Sequence, residues 1–139
     1  ITNFLRHHSR SYIFTASITP ASTAAALKAL EIMETEPERQ QALWDVTHYA
    51  LEGFRNMGCE IGNTSTPIIP LFIRDNYKTF AVTHDLQEEG IFVNPVVSPA
   101  VAPNDTLIRF SLMATHTKEQ VTYALEKIEK VFRKYDIIK

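Results

Sequence analysis

An arginine stands inside an apolar, strand-like run, Thr106-Leu107-Ile108-Arg109-Phe110-Ser111-Leu112-Met113. A charged side chain is costly to bury in such a segment unless something answers it. Arginine offers a rigid, permanently charged fork that pairs bidentately with carboxylate or phosphate. Arg109 therefore points outward, pairs with a structural Asp or Glu, or holds an acidic group on a ligand. The chemistry it could do is to bind and orient an anion, not to transfer a proton.

The other side chains that could do chemistry do not combine into a catalytic set. The four glycines are scattered among turns and helix stops and form no phosphate loop. His7 and His8 are adjacent, His48 and His84 fall within amphipathic stretches, and His116 precedes the last helix, so no metal-ligand spacing is present and each histidine is expected to be structural. Ser17, Ser98 and Ser111 lack a nucleophile-elbow pattern, and no Asp/Glu pair has an acid–base spacing. Cys59 is the only cysteine; with no partner for a disulfide it reads as a plain structural thiol, and no signal peptide precedes it, which fits a reducing, cytoplasmic setting. No catalytic residue and no metal ligand is assigned within this chain.

The elements that must position Arg109 follow from periodicity. Ser11 to Ser17 (SYIFTAS) is β-branched and aromatic and reads as a short strand or extended arm; Ala21 to Thr35 is alanine-rich and reads as a well-buried helix. Pro37 opens a second helix with Leu43, Val46, Ala50, Leu51, Phe54 and Met57 on one face, stopped by Gly58. Pro67 to Ile73 reads as a strand whose two prolines imply an edge position or an irregular start. Asn76 caps a third helix closed by Gly90, Ile91 to Val93 is a short strand, and the loop from Pro95 to Pro103 leads into the Arg109 strand. Thr117-Lys118-Glu119-Gln120 is a capping box ahead of a helix with Val121, Ala124, Leu125, Ile128, Val131, Phe132 and Tyr135 on one stripe. This order predicts an α/β (α+β) fold, a small antiparallel-type sheet of about three strands with helices layered on one face. The 139 residues, 45% hydrophobic and 22% charged, form one domain with a leading arm and helix over residues 1–35. A net charge of −2 without a basic stripe excludes a nucleic-acid surface, and no segment approaches the roughly 20 apolar residues that span a bilayer. Opening in mid-phrase at Ile1, the chain reads as a piece of a longer polypeptide.

Two phrases, RSYIFTASITPAS near the start and SPAVAPNDTLIRFSLMATHT near the end, resemble the C-terminal part of the α-oxoamine synthases, fold type I enzymes dependent on pyridoxal 5′-phosphate (PLP) that condense an amino acid with an acyl-CoA. Within that family FTAS and LIRFSLMATHT look most like the serine palmitoyltransferase branch, with the 8-amino-7-oxononanoate synthase and 2-amino-3-ketobutyrate ligase branches behind it. The resemblance implies a small C-terminal domain of a homodimer whose Schiff-base lysine lies ahead of Ile1, so no lysine of this chain takes that role and PLP is not expected to be covalently held here. It also implies three contacts. Arg109 aligns with the arginine that holds the substrate α-carboxylate. Thr15 aligns with a hydroxyl residue that reaches the PLP phosphate of the partner subunit. Ala100 lies in the Ser98–Pro103 stretch, in place of a Pro-Pro-x-x-Pro-like loop near the acyl chain, from which this sequence departs by having Val97, Ser98 and Ala102 where arginine and prolines are common. The rival reading is a noncatalytic interaction module of the same fold with its arginine paired internally.

Overall fold

The computed structural model describes residues 1–139 as two compact units, Ile1–Pro37 and Glu38–Lys139. The first holds helices α1 (Thr2–His8), α2 (Arg10–Ile13) and α3 (Pro20–Thr35). SYIFTAS is therefore not a strand. Ser9 caps a short helical turn, its Oγ accepting the Tyr12 N–H at 3.4 Å, and residues 14–19 have no regular structure. Strand propensity is realised only where another strand pairs, and this unit has none. Thr19 caps α3, with Pro20 in its first turn where the missing N–H is harmless. The expected burial of α3 is not met within this unit: it buries no residue, and Leu27, Leu30 and Met33 are exposed.

The second unit follows the order α4 (Pro37–Asn56), β1 (Ile68–Phe72), α5 (Asn76–Glu88), β2 (Asn94–Val96), a 3-10 turn (Pro103–Asp105), β3 (Leu107–Ser111) and α6 (Lys118–Lys134). The sheet is antiparallel with β3 in the centre, in the order β1-β3-β2. Both proline-bearing strands are thus edges. The Phe72 N–H donates to the Glu60 carbonyl outside the β1–β3 ladder, and Pro70, of the same parity, turns its nitrogen to that outer side, where no ladder bond is lost.

Alternation sorts the sheet into two faces. Ile69, Leu71, Ile108 and Phe110 are buried and belong to one core with Val46, Ala50, Leu51 and Phe54 of α4, Val82 and Leu86 of α5, and the apolar stripe of α6. Arg109 pairs in register with Pro70 on one side and Asn94 on the other, on the opposite face. Gly53 brings α4 and α6 together: a Cβ there would meet Leu125 Cδ1 at 2.5 Å. The capping box of α6 forms as read, with the Gln120 N–H on Thr117 Oγ1 and the Thr117 N–H on Gln120 Oε1.

Two local readings shift. The cap of α5 is Asp75, which accepts the Lys78 N–H at 2.7 Å, while Asn76 uses its Oδ1 to accept the Ser98 N–H at 3.4 Å. The strand expected at Ile91–Val93 begins at Asn94 instead, because the Ile91 N–H is still bonded to the Leu86 carbonyl through the left-handed Gly90 (φ 77°), and Ile91 and Val93 are drawn into the core.

Candidate functional site

The structure removes the need for an internal partner of Arg109. Its neighbours in β3, Ile108 and Phe110, turn inward to the core, so the strand's alternation carries Arg109 outward, where it is exposed. It makes no hydrogen bond and no ion pair, whereas other cations of the unit such as Lys127, Lys130 and Arg74 are each matched to a carboxylate. Of the three alternatives the sequence left open, the internal acidic partner is therefore absent, and the charge is open to solvent. A guanidinium fork held on the middle strand of a sheet and left unpaired is a ready acceptor of an anionic group.

Arg109 borders a cavity of about 730 Å³ where β3 leaves the sheet for α6, with Phe92, Asn94, Ser111, Met113, His116 and Tyr123 among its walls. Phe92 and Met113 are strongly exposed. Sequence reasoning had no hold on these walls, since Phe92 and Met113 fall outside any periodic stripe. His116 is structural, as expected. Its Nδ1 accepts the Met113 N–H at 3.1 Å and its own N–H donates to the Met113 carbonyl at 3.1 Å, closing the turn into α6. This leaves the proton of a neutral ring on Nε2.

Ala100 is exposed in the loop between β2 and β3, where its N–H donates to the Val97 carbonyl at 2.9 Å and the Ser98–Pro99 peptide is cis. Thr15 lies in the first unit, exposed, its hydroxyl donating to the Ser11 carbonyl. The backbone N–H groups of Ala16, Ser17 and Ile18 beside it make no hydrogen bond. Cys59 is buried, its thiol pushed up to about 12 by burial first and by Glu129 second, which makes it inert at neutral pH. The remaining histidines bond backbone or stack: His7 and His8 on carbonyls of their own helix, His48 on Trp44, His84 beside Asp85. No helix is long and apolar enough to cross a membrane.

Two carboxylates join α5 to α6. Glu89, at the end of α5, takes Lys127 Nζ at 2.5 Å and Lys130 Nζ at 2.7 Å from α6, and these two ammonium groups pull its carboxyl down to about 2. Asp85 takes Lys134 at 2.6 Å and the Tyr135 hydroxyl at 3.0 Å, and is likewise held below the usual carboxylate range.

The fold agrees with that of solved structures of similar chains. The family model for aminotransferase class I and II matches residues 1–128, and the chain belongs to that family. Among curated relatives it is similar to serine palmitoyltransferase of Bacteroides thetaiotaomicron, 59% identical over 99% of this chain, and to 8-amino-7-oxononanoate synthase of Petrotoga mobilis, 38% identical over 94%. Among solved structures, serine palmitoyltransferase of Sphingomonas wittichii superposes with a TM-score of 0.84 at 30% identity, covering 99% of this chain and 35% of that one. A structure of SPT holding PLP matches with a TM-score of 0.84 at 28% identity, with the same coverage. The chain spans 35% of the length of the Bacteroides relative.

Proposed function

We propose that this chain is the small C-terminal domain of a cytoplasmic, homodimeric, PLP-dependent acyl-CoA:amino acid C-acyltransferase of the serine palmitoyltransferase kind, and that Arg109 holds the α-carboxylate of the amino acid. The observation that carries this reading is an unpaired, exposed guanidinium fixed on the central strand beside a largely apolar cavity, in a chain 59% identical to a serine palmitoyltransferase.

PLP, when bound, supplies an electron sink for the bonds at the amino acid's α-carbon. The part of this chain is to orient. Two parallel N–H···O bonds from Arg109 fix both the position and the plane of a carboxylate, which sets which α-carbon bond is aligned for reaction.

The first unit fits the cofactor's phosphate. Thr15 has an exposed hydroxyl and lies on irregular backbone next to three uncommitted N–H groups, a set of donors suited to a dianion. Exchanging the Ser11 carbonyl for a phosphate oxygen replaces a neutral hydrogen bond by a charge-assisted one, which is the stronger kind. In this reading the phosphate belongs to the partner subunit, and Ala100 lies against the acyl group.

The test is the Arg109 series in the full-length enzyme. Losing a charge-assisted pair weakens binding by about 1.5–3 kcal/mol, so Arg109→Ala should raise the serine KM roughly tenfold to a hundredfold and leave the palmitoyl-CoA KM nearly unchanged. Arg109→Lys keeps the charge without the fork and should recover only part of the loss. Equal loss for both substrates would assign Arg109 a structural role.

A further inference from the structure

Arg74 stands at φ 63°, in the left-handed region where a side chain is disfavoured and glycine is the usual occupant. An arginine retained there implies that its side chain does something glycine does not. The guanidinium meets three groups. Nε donates to Glu60 Oε2 at 2.8 Å and Nη2 to Glu60 Oε1, a bidentate pair; Nη1 donates to the Asn104 carbonyl at 2.8 Å and to Asp105 Oδ1 at 3.1 Å. Its carbon lies 4.9 Å from the centre of the Phe72 ring.

The backbone around Arg74 grips the same place. The N–H groups of Ile73 and Arg74 both donate to the Thr106 carbonyl, at 3.0 and 2.9 Å. Asn76 accepts the Ser98 N–H at 3.4 Å. The turn from β1 to α5 therefore holds the β2–β3 connection at both ends, Ser98 at its entrance and Asn104–Thr106 at its exit. Between them Pro99, Ala100 and Ala102 project exposed, tied only by short-range turns. Immediately past the exit the chain becomes β3 and carries Arg109.

We propose that Arg74 is a positioning residue: by clamping Asn104 and Asp105 to Glu60 it sets where the Ser98–Ala102 loop stands, and through that loop how the acyl-CoA is received. This rests on the reading above that the loop borders the acyl group. Arg74 touches no substrate in this scheme. The Arg74–Glu60 pair also holds the Glu60 carboxyl below its ordinary range, with the hydrogen bond as the leading cause.

Arg74→Gly in the full-length enzyme is the informative variant, since glycine accepts the positive φ and keeps the fold while removing the clamp. Hydrogen exchange of the backbone amides from Ser98 to Thr106 should rise about threefold to tenfold, the modest range expected for a half-exposed ion-pair network. The KM for acyl-CoA should rise by a similar factor, and preference among acyl lengths should flatten, while the amino-acid KM stays within about twofold. Arg74→Lys, which keeps the charge and one contact, should fall between. Unchanged exchange overturns the clamp; faster exchange with an unchanged acyl-CoA KM, or with both KM values moving together, overturns its role in acyl recognition. A wild-type enzyme that condenses no acyl-CoA with an amino acid sinks the acyltransferase reading and the acyl role with it, while the exchange measurement still decides whether Arg74 orders the loop.

Discussion

Phe54 and Phe110 offer a direct test of what holds the Arg109 strand to the helices. Both rings are buried, and they meet edge to face with centroids 5.1 Å apart and planes at 78°. Phe54 belongs to α4; Phe110 follows Arg109 in β3 and turns inward where Arg109 turns out. Truncating Phe54 to alanine removes burial and leaves a cavity the neighbours fill only in part, a loss of about 3–5 kcal/mol. Of that, roughly 0.5–1.5 kcal/mol belongs to the edge-to-face geometry itself. Replacing each phenylalanine by leucine keeps most of the apolar volume, so the double-mutant cycle of Phe54→Leu and Phe110→Leu isolates the ring–ring part. Guanidinium unfolding followed by the single tryptophan, Trp44 on α4, reports all four chains. The expected outcome is a loss near 3–5 kcal/mol for Phe54→Ala and a coupling of about 0.5–1.5 kcal/mol in the leucine cycle. A Phe54→Ala loss below about 1 kcal/mol, the size of an ordinary surface change, would mean that β3 is not anchored through this contact.

Three further outcomes follow from other parts of the chain. In the full-length enzyme Thr15→Val should raise the PLP dissociation constant roughly tenfold; mixed with a subunit lacking the Schiff-base lysine, it should regain normal affinity at the one lysine-competent site, which borrows Thr15 from the lysine-deficient partner, and persistent weak binding would remove the cross-subunit role. Glu89 has its carboxyl lowered from 4.5 to about 2 by Lys127 and Lys130, so its contribution to stability is complete above pH 4.5 and is lost as pH falls through about 2; acid titrations of unfolding should show Glu89→Gln less stable than wild type at pH 7 and converging with it near pH 2, and a constant gap down to pH 2 would refute the pairing. Cys59, with its thiol at about 12, should resist iodoacetamide at pH 8 in the native chain and react once unfolded, and fast native labelling would contradict its burial.

How far each feature could be read from the sequence depends on how local its cause is. The α6 start was legible because a capping box is completed within one turn, Thr117 and Gln120 answering each other without help. The edge position of β1 was legible because proline lacks a donor wherever it sits. Of the two readings of SYIFTAS, the strand fails since strand propensity needs a neighbour, and Ser9, a local cap, turns its first residues into a helical turn while Thr15 to Ser17 stay irregular. Between Asp75 and Asn76, both able to cap α5, the choice turned on Ser98, distant in sequence, which Asn76 serves. Arg109 announced itself by charge in an apolar run, yet its lack of an acidic partner could not be foreseen, because that depends on which face of β3 the helices cover. Arg74 gave no sign at all. Its partners Glu60 and Asp105 sit outside every apolar stripe, and nothing in the letter R marks a positive φ. Periodicity reports the face an element buries; it is silent about polar side chains such as Arg74 and Asn76, which tie the turn after β1 to the two ends of the β2–β3 connection.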